Sequence, residues 1–245
     1  MRQLLPEPLD PFDPATLTDP GDRTAPPERP WVMANMVMSA DGAHSVAGRS
    51  GGLASPADKL LFHTLRAAAD AILVAAETAR VERYRRPSTR PELLEGRRAR
   101  GQGDAPRLVV VTRSGRFPED QPFFEGDGPD PLVLHPAGGP APGPMPGVEL
   151  RAVGEGADVD LAAALADLRR EGVRHLLCEG GPRLLGQLHR SGVLDELFVT
   201  LSPVLAGGTE LGLLGPIPES ASPVHLHRVL EEDGSLFLTY RTRPA

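Results

Sequence analysis

Two hydrophobic periods divide the 245-residue chain. Short, continuous apolar runs of strand length stand at Trp31–Met38 (WVMANMVM), Ala71–Ala75 (AILVA), Arg107–Val111 (RLVVV), Pro131–Leu134 and His175–Cys178. Such runs suit strands covered on both faces. Helical patterns lie between them. Ser55-Pro56-Ala57-Asp58 starts one, with serine as N-cap, proline at the first helical position and an acid three residues after the serine. Leu60, Leu61, Leu65 and Ala68 form its predicted buried stripe. Asp160–Arg170 places Leu161, Ala164, Leu165 and Leu168 at i, i+3, i+4 and i+7. A third helix starts at Pro182, carries Leu184, Leu185 and Leu188 on one edge, and ends at Gly192. Ala76-Glu77-Thr78 opens a short helix through Glu82, and Tyr84–Ala105 reads as a long loop. Asp195–Leu201 is another strand, and Val224–Leu230 with Ser235–Tyr240 form a hairpin around Asp233-Gly234. This alternation predicts an α/β fold with a mostly parallel sheet flanked by helices and an antiparallel C-terminal hairpin. Residues 1–30 hold eight prolines and read as an extended arm lying on the body or on a partner. Residues 31–245 read as a single domain.

Several polar positions carry candidate chemistry. Glu179-Gly180-Gly181 separates a strand from a helix. The glycines let a ligand approach the backbone, and the helix start presents free N–H groups suited to a phosphate. A tight turn without a ligand accounts for the same residues. Thr78 and Glu82 lie past the carboxyl end of a strand, where open parallel sheets bind ligands. Thr112-Arg113-Ser114 follows another strand and suits either a phosphate monoester or a surface turn. Asn35, polar within an apolar run, is either a satisfied core amide or a group aimed into a pocket. Arg66 stands where a cation favours the helix dipole. Arg85, Arg86 and Arg90 meet a phosphate or are simply solvated. The glycine-rich stretch Ala47–Leu53 reads by itself as a surface loop.

Composition narrows the classes. Net charge is −7, with only two tyrosines and one tryptophan and no basic block, which argues against a nucleic-acid surface. The single cysteine, Cys178, excludes an intramolecular disulfide framework and a cysteine-rich zinc site, and its place at a strand end predicts a buried, inert thiol. His225 and His227 share a strand face, but two histidines lacking a third ligand do not make a metal site. The chain lacks an apolar run of spanning length, and its start lacks a secretory signal pattern, so a cytoplasmic protein without membrane contact is expected.

Ser39-x-Asp41-Gly42, the glycine-rich loop, Leu65-Arg66-Ala67, Asp70–Val74, Thr78, Glu179-Gly180-Gly181-Pro182 and Leu194-Asp195-Glu196-Leu197 follow one another in this order. Together they resemble the reductase domain of the bifunctional riboflavin-biosynthesis deaminase–reductase, of the dihydrofolate-reductase-like superfamily. The resemblance spans roughly residues 30–241. It implies a dihydrofolate-reductase-like fold, NADPH as hydride donor and a homodimer. It also implies reduction of the ribosyl group of 5-amino-6-(5-phosphoribosylamino)uracil, or of the related diaminopyrimidinone, to ribityl. Gly180, Gly181, Pro182, Arg183, Leu184 and Leu185 would border the cofactor diphosphate. Thr78 would lie near the nicotinamide with Glu82 on the cofactor side, and Thr112 and Arg113 would read the 2′-phosphate. Asn35, Ser50, Arg66 and Glu179 would hold substrate, and Asp41 and Glu179 are the catalytic acid candidates.

The departures are specific. The zinc-dependent deaminase half, with its His-x-Glu and Pro-Cys-x-x-Cys, is missing. Asn35 stands where the family usually has lysine, and Glu82-Arg83-Tyr84 where it usually has Asp-Asp-Pro. Two alternatives follow: a dihydrofolate reductase-like activity, or a non-catalytic NADP-binding regulator. A pterin reductase needs a carboxylate facing the pterin, and neither the first strand nor the helix from residue 56 shows one by pattern.

Overall fold

The computed structural model describes residues 1–117, 124–208, 212–218 and 221–242. Its strands are β1 (Arg2–Leu5), β2 (Trp31–Ser39), β3 (Ala71–Ala75), β4 (Arg107–Val111), β5 (Leu132–His135), β6 (Glu149–Ala152), β7 (His175–Cys178), β8 (Glu196–Ser202), β9 (His225–Glu232) and β10 (Ser235–Arg241). Its α-helices are α1 (Pro56–Ala68), α2 (Ala76–Val81), α3 (Pro91–Ala99), α4 (Leu161–Arg170) and α5 (Pro182–Arg190). All ten strands join one sheet in the order β1-β9-β10-β8-β2-β7-β3-β4-β5-β6. The run from β8 to β6 is parallel, whereas β10, β9 and β1 add antiparallel pairs at one edge. The α/β class and the mostly parallel sheet agree with the hydrophobic pattern.

The apolar strands are covered on both faces, as their unbroken runs require. Val32, Ala34, Leu73, Val109 and Leu176 pack against Leu161, Leu165, Leu168, Leu185 and Leu188 of α4 and α5. On the opposite face Met33, Leu177, Phe198 and Phe237 pack against Leu61 and Leu65 of α1. Burying a leucine such as Leu65 contributes about 1.5–3 kcal/mol. Cys178 is buried and its thiol pKa is pushed up to about 12, first by burial, which leaves it unreactive.

Four local expectations change. Leu60 is 38% exposed rather than buried. The inward face of α1 consists of Ala57, Asp58, Leu61, Thr64, Leu65, Ala67 and Ala68, so an acid takes the place expected for Leu60. The loop from Tyr84 contains α3, with Pro91 at its start. Arg97 of α3 is 1% exposed, and its Nη1 donates to the carbonyls of Ala67 and Ala69, capping the end of α1. The polar segment 149–152 forms edge strand β6. The N-terminal segment is not merely extended: it supplies β1, paired with β9, and a 3-10 helix over Pro14–Thr18, and it buries Phe12 and Leu17. Arg23 and Arg29 fasten it to Glu196 and Asp195 at the start of β8.

Candidate functional site

Two clefts flank the start of α5 beyond the carboxyl ends of the parallel strands, where open α/β sheets place ligands. The first is a cavity of about 380 Å³, lined by Asn35 and Val37 of β2, the loop from His44 to Ala54, Asp58 and Phe62 of α1, Thr78 and Glu82 at α2, Tyr84, and Glu179 through Pro182. The second, about 280 Å³, lies between Thr112, Arg113, Ser114 and Arg116 after β4 and Arg183, Leu184 and Gln187 of α5. Arg80 of α2 also borders it, and Glu77 borders both clefts.

The turn between the clefts is tightly built. Gly180 takes a φ of +94°, which a side chain would strain, and its carbonyl accepts from the Ala75 N–H at the end of β3. A Cβ on Gly181 would come within 2.7 Å of Thr78 Oγ1, so glycine lets this turn touch the threonine. Pro182 has no N–H to offer, and the N–H of Leu185 bonds to the Gly181 carbonyl. That leaves the first-turn N–H groups of Arg183 and Leu184, two residues that line the second cleft, without an intrahelical acceptor.

Glu179 is the polar hub of the first cavity. Its two carboxylate oxygens accept from Arg66 Nε and Nη2, each at 2.7 Å, and from the Tyr84 hydroxyl at 2.7 Å. Both ion-pair partners are largely buried, with side-chain exposures of 15% and 2%. Burial works against the Arg66 charge, but the Glu179 carboxylate outweighs it and holds the guanidinium pKa above its ordinary value. Burial, and then the Glu179 charge, push the Tyr84 hydroxyl well above its ordinary value, so it remains a proton-bearing donor. Arg66 also stacks on Phe62, with its guanidinium carbon 4.1 Å from the ring centroid.

Ser50 and Glu82 meet each other. The Ser50 N–H and hydroxyl donate to Glu82 Oε1 at 2.8 and 2.9 Å, which latches the glycine-rich loop over the cavity onto the end of α2. The departure from Asp-Asp-Pro is thus structural as well as chemical. Glu82 holds the loop, and Tyr84 supports Glu179.

The remaining sequence candidates divide. Asn35 lines the first cavity, and its buried Oδ1 has no hydrogen-bond partner. It is therefore not the satisfied core amide that was one reading of the sequence. Thr78, Gly180, Gly181 and Pro182 line the same cavity, while Thr112, Arg113, Arg183 and Leu184 line the second cleft. Leu185 lines neither; it is 0% exposed in the core, because it points from the inner face of α5. Asp41 also lies outside both clefts. Its exposed carboxylate accepts from the Ser39 hydroxyl and from the N–H groups of Ala206 and Gly207, tying down the loop after β8. The Ser39 bond, then those two N–H groups, lower its pKa to about 2, opposite to what a proton donor at neutral pH needs. Arg86 braces Phe124, Gly128, Asp130 and Gly147, and none of Arg85, Arg86 and Arg90 borders either cleft. No cluster of potential metal ligands occurs among the described residues, nor any helix long and apolar enough to cross a membrane.

Asp58 overturns one expectation. The helix from residue 56 does hold a carboxylate facing the cavity. It is 8% exposed, and burial raises its pKa. Its phase was the available signal: Asp58 precedes Leu61 by three residues and Leu65 by seven, on the buried stripe.

A parallel sheet with an antiparallel edge, and a strand–Gly-Gly–helix turn between two clefts, define an α/β protein of dihydrofolate-reductase-like architecture. The comparisons give its family. The sequence profile of the RibD C-terminal domain matches residues 30–229, and the chain belongs to that family. It is 29% identical over 187 residues to the 2,5-diamino-6-ribosylamino-4(3H)-pyrimidinone 5′-phosphate reductase of Methanothermobacter thermautotrophicus, covering 74% of this chain and 82% of that one. The enzyme of the same name from Archaeoglobus fulgidus is 28% identical over 191 residues, covering 74% and 84%. Among solved structures, a pyrimidine reductase-like protein from Corynebacterium diphtheriae superposes with a TM-score of 0.80 at 24% identity, covering 96% of this chain and 100% of that one. The Saccharomyces riboflavin biosynthesis reductase Rib7 superposes with a TM-score of 0.64 at 20% identity, covering 87% and 90%.

Proposed function

We propose that the chain is an NADPH-dependent reductase that converts the ribosylamino group of a phosphorylated aminopyrimidine to ribitylamino in riboflavin biosynthesis. The observation that carries the reading is the α5 start standing between two clefts, one rimmed by arginines and the other lined by Asn35 and four carboxylates. The chain's similarity to the two archaeal reductases supports the substrate class. In the ring-opened substrate a C=N bond joins C1′ to the amino nitrogen. Hydride addition at C1′ and protonation at nitrogen give the ribityl product. NADPH, when bound, supplies the hydride.

The residues fit that cofactor. The first-turn N–H groups of Arg183 and Leu184 suit a diphosphate, and Gly181 seats the turn directly against Thr78. Arg113, Arg116, Arg80 and Arg183 give the second cleft the charge to read a 2′-phosphate. Arg113→Ala is expected to raise the KM for NADPH about tenfold or more while leaving that for NADH nearly unchanged. Equal effects on both cofactors would remove Arg113 from phosphate recognition.

Glu179 accepts from three donors, so its part is to hold Tyr84 in the cavity wall; Arg66, expected to hold substrate, borders neither cleft and instead pairs with Glu179 behind that wall. A carboxylate so occupied is a poor proton source, and we assign protonation of the nitrogen to solvent. The test of the reading is NADPH oxidation, followed by absorbance, with the ribosylaminopyrimidine phosphate offered. Saturable turnover is expected. NADPH binding without oxidation would favour a non-catalytic regulator instead.

Asp58 favours a second reading, dihydrofolate reduction, because a pterin presents the same 2-amino-4-oxopyrimidine ring. A homodimer is also proposed. Met38, Leu201 and Leu236 form a cross-strand row, flanked by Leu238, on the sheet face opposite α1, and all four remain half-exposed. An apolar face of this kind suits a second copy of the chain. Sedimentation equilibrium should give twice the 26.1 kDa chain mass, and a monomer at micromolar concentration would refute it.

A further inference from the structure

The glycine-rich loop over the first cavity is a closed unit. Val46 and Arg49 exchange two backbone hydrogen bonds, at 2.9 and 3.1 Å, across a tight turn in which Ala47 and Gly48 take φ of +50° and +76°. A Cβ on Gly52 would come within 3.0 Å of Val46 Cβ, so the segment folds back on its own start. Both ends are anchored. Ala43 exchanges hydrogen bonds with Ser39, and Leu53 is 2% exposed, two residues before the Ser55 cap of α1. Between these anchors the loop is tied at one point. Among the described hydrogen bonds, two leave residues 45–53: those of the Ser50 N–H and hydroxyl, and both end on Glu82 Oε1.

Glu82 is placed for this by the end of α2. Its N–H bonds to the Thr78 carbonyl, and Arg83 follows at φ +54°, the left-handed conformation that ends a helix. That reversal sends Glu82 to the loop and Tyr84 to Glu179. Glu82 lines the first cavity and not the second cleft, and Ser50 lines the first cavity with it. A serine has two donors, its N–H and its O–H, and here one carboxylate oxygen takes both. What the Ser50 hydroxyl can still offer a ligand is its oxygen as acceptor. A phosphate dianion has no proton to give it, whereas a sugar hydroxyl does.

We infer that Glu82 is a positioning residue for the substrate: it closes the loop over the first cavity and, by taking both donors of Ser50, makes that serine an acceptor for a hydroxyl group of the ribosyl chain. The inference rests on the reductase reading above. It moves Glu82 from the cofactor, where the sequence resemblance put it, to the substrate, and it leaves the phosphate to other groups. The latch depends on an acceptor at the right reach more than on the charge it carries.

The experiment compares the wild type with Glu82→Ala, Glu82→Gln and Glu82→Asp in three measurements: KM and kcat for the ribosylaminopyrimidine phosphate, the Kd of NADPH, and hydrogen exchange over residues 45–53. Glu82→Ala is expected to raise KM about tenfold or more while kcat changes less than about threefold. The Kd of NADPH should stay within about twofold, and the Ser50 amide should exchange about tenfold faster or more. KM and Kd do not scale with the amount of folded protein, so partial unfolding does not mimic the effect. Glutamine keeps an acceptor oxygen at the same reach and should recover most of the KM. Aspartate keeps the charge but falls one methylene short, and should not. The opposite ranking overturns the inference, as does a KM that is unchanged while exchange quickens, or a Kd of NADPH that rises with KM. The hydroxyl assignment is read on the dephosphorylated nucleoside, whose KM Glu82→Ala should raise by the same factor; a factor that vanishes without the phosphate refutes it. If the wild type turns nothing over, the reductase reading fails, and calorimetric titration with the ribosylaminopyrimidine phosphate takes the place of KM. Binding weakened in Glu82→Ala and recovered in Glu82→Gln keeps the latch, and binding that is absent in the wild type or equal in all four proteins overturns it.

Discussion

Glu179→Gln is expected to lower kcat/KM for the pyrimidine substrate by about 100-fold or more, with NADPH affinity changed only a few-fold. Glutamine keeps the shape but presents an NH2 group where Glu179 now accepts only donors. One of Arg66 Nε, Arg66 Nη2 and Tyr84 OH must then lose its acceptor, and the buried guanidinium loses its counter-charge. Breaking a buried ion pair at one partner costs about 3–5 kcal/mol. Half of that, expressed as displacement of the cavity wall in the transition state, already amounts to roughly a tenfold to hundredfold rate loss. The N–H groups of α5 are not touched, so the cofactor side stays intact. Stability and activity are separable by the double variant Arg66→Met with Glu179→Met, since removing both charges restores much of the folding energy. A double variant with recovered Tm and activity still below about a hundredth of wild type assigns the pair a functional role. Recovery of both would reduce it to scaffold.

That hub shows what the sequence made legible. Arg66 and Glu179 are 113 positions apart; the family resemblance marks each as a residue toward substrate, and only the structure pairs them with each other. Tyr84 was visible only as a departure from the family pattern, because its partner could not be read locally. The central strands were legible since each is an apolar run buried on both faces. Strands β1 and β6 were not: each has four residues at a sheet edge, and only backbone pairing makes them strands. Helix α3 was hidden by its polar sequence, PELLEGRRA, whose main anchor is a buried arginine rather than a leucine stripe. Asp58 was read as a helix-start acid, a role that local propensity fully explains. Its second property, lying on the buried stripe, appears only when the helix phase is set by Leu61 and Leu65 rather than by Leu60. Asp41 shows the converse. A motif acid with an obvious catalytic reading serves instead to hold a loop, and its three donors are near in space, two of them from residues 206 and 207.

Asp195→Asn should destabilise the chain by about 3–5 kcal/mol, the largest single effect expected on folding. Asp195 accepts from both terminal nitrogens of Arg29, the second at 2.8 Å, and from the Val32 N–H at 2.9 Å. The two side chains are only 9% and 5% exposed, so solvent cannot replace what is lost. The pair joins the arm to the junction of β2 and β8, and next to it Arg23 meets the fully buried Glu196. At about 2–4 °C per kcal/mol for a chain of this size, the fall in Tm should be about 10 °C. By contrast Arg2→Ala, at the exposed pair with Glu231, should cost under about 1 kcal/mol. The arm's tie of Asp22 to Arg241 is pH-dependent, since its hydrogen bond lowers the Asp22 pKa to about 2. A lowered carboxylate pKa stabilises above the ordinary value and is lost as pH falls through the folded one. That tie therefore persists at pH 5 and weakens toward pH 2. Thermal unfolding of the two variants at neutral pH is the check. If Asp195→Asn lowers Tm no more than Arg2→Ala, the arm is not held by its buried charges, and Phe12 and Leu17 in the core beneath α1 carry its attachment instead.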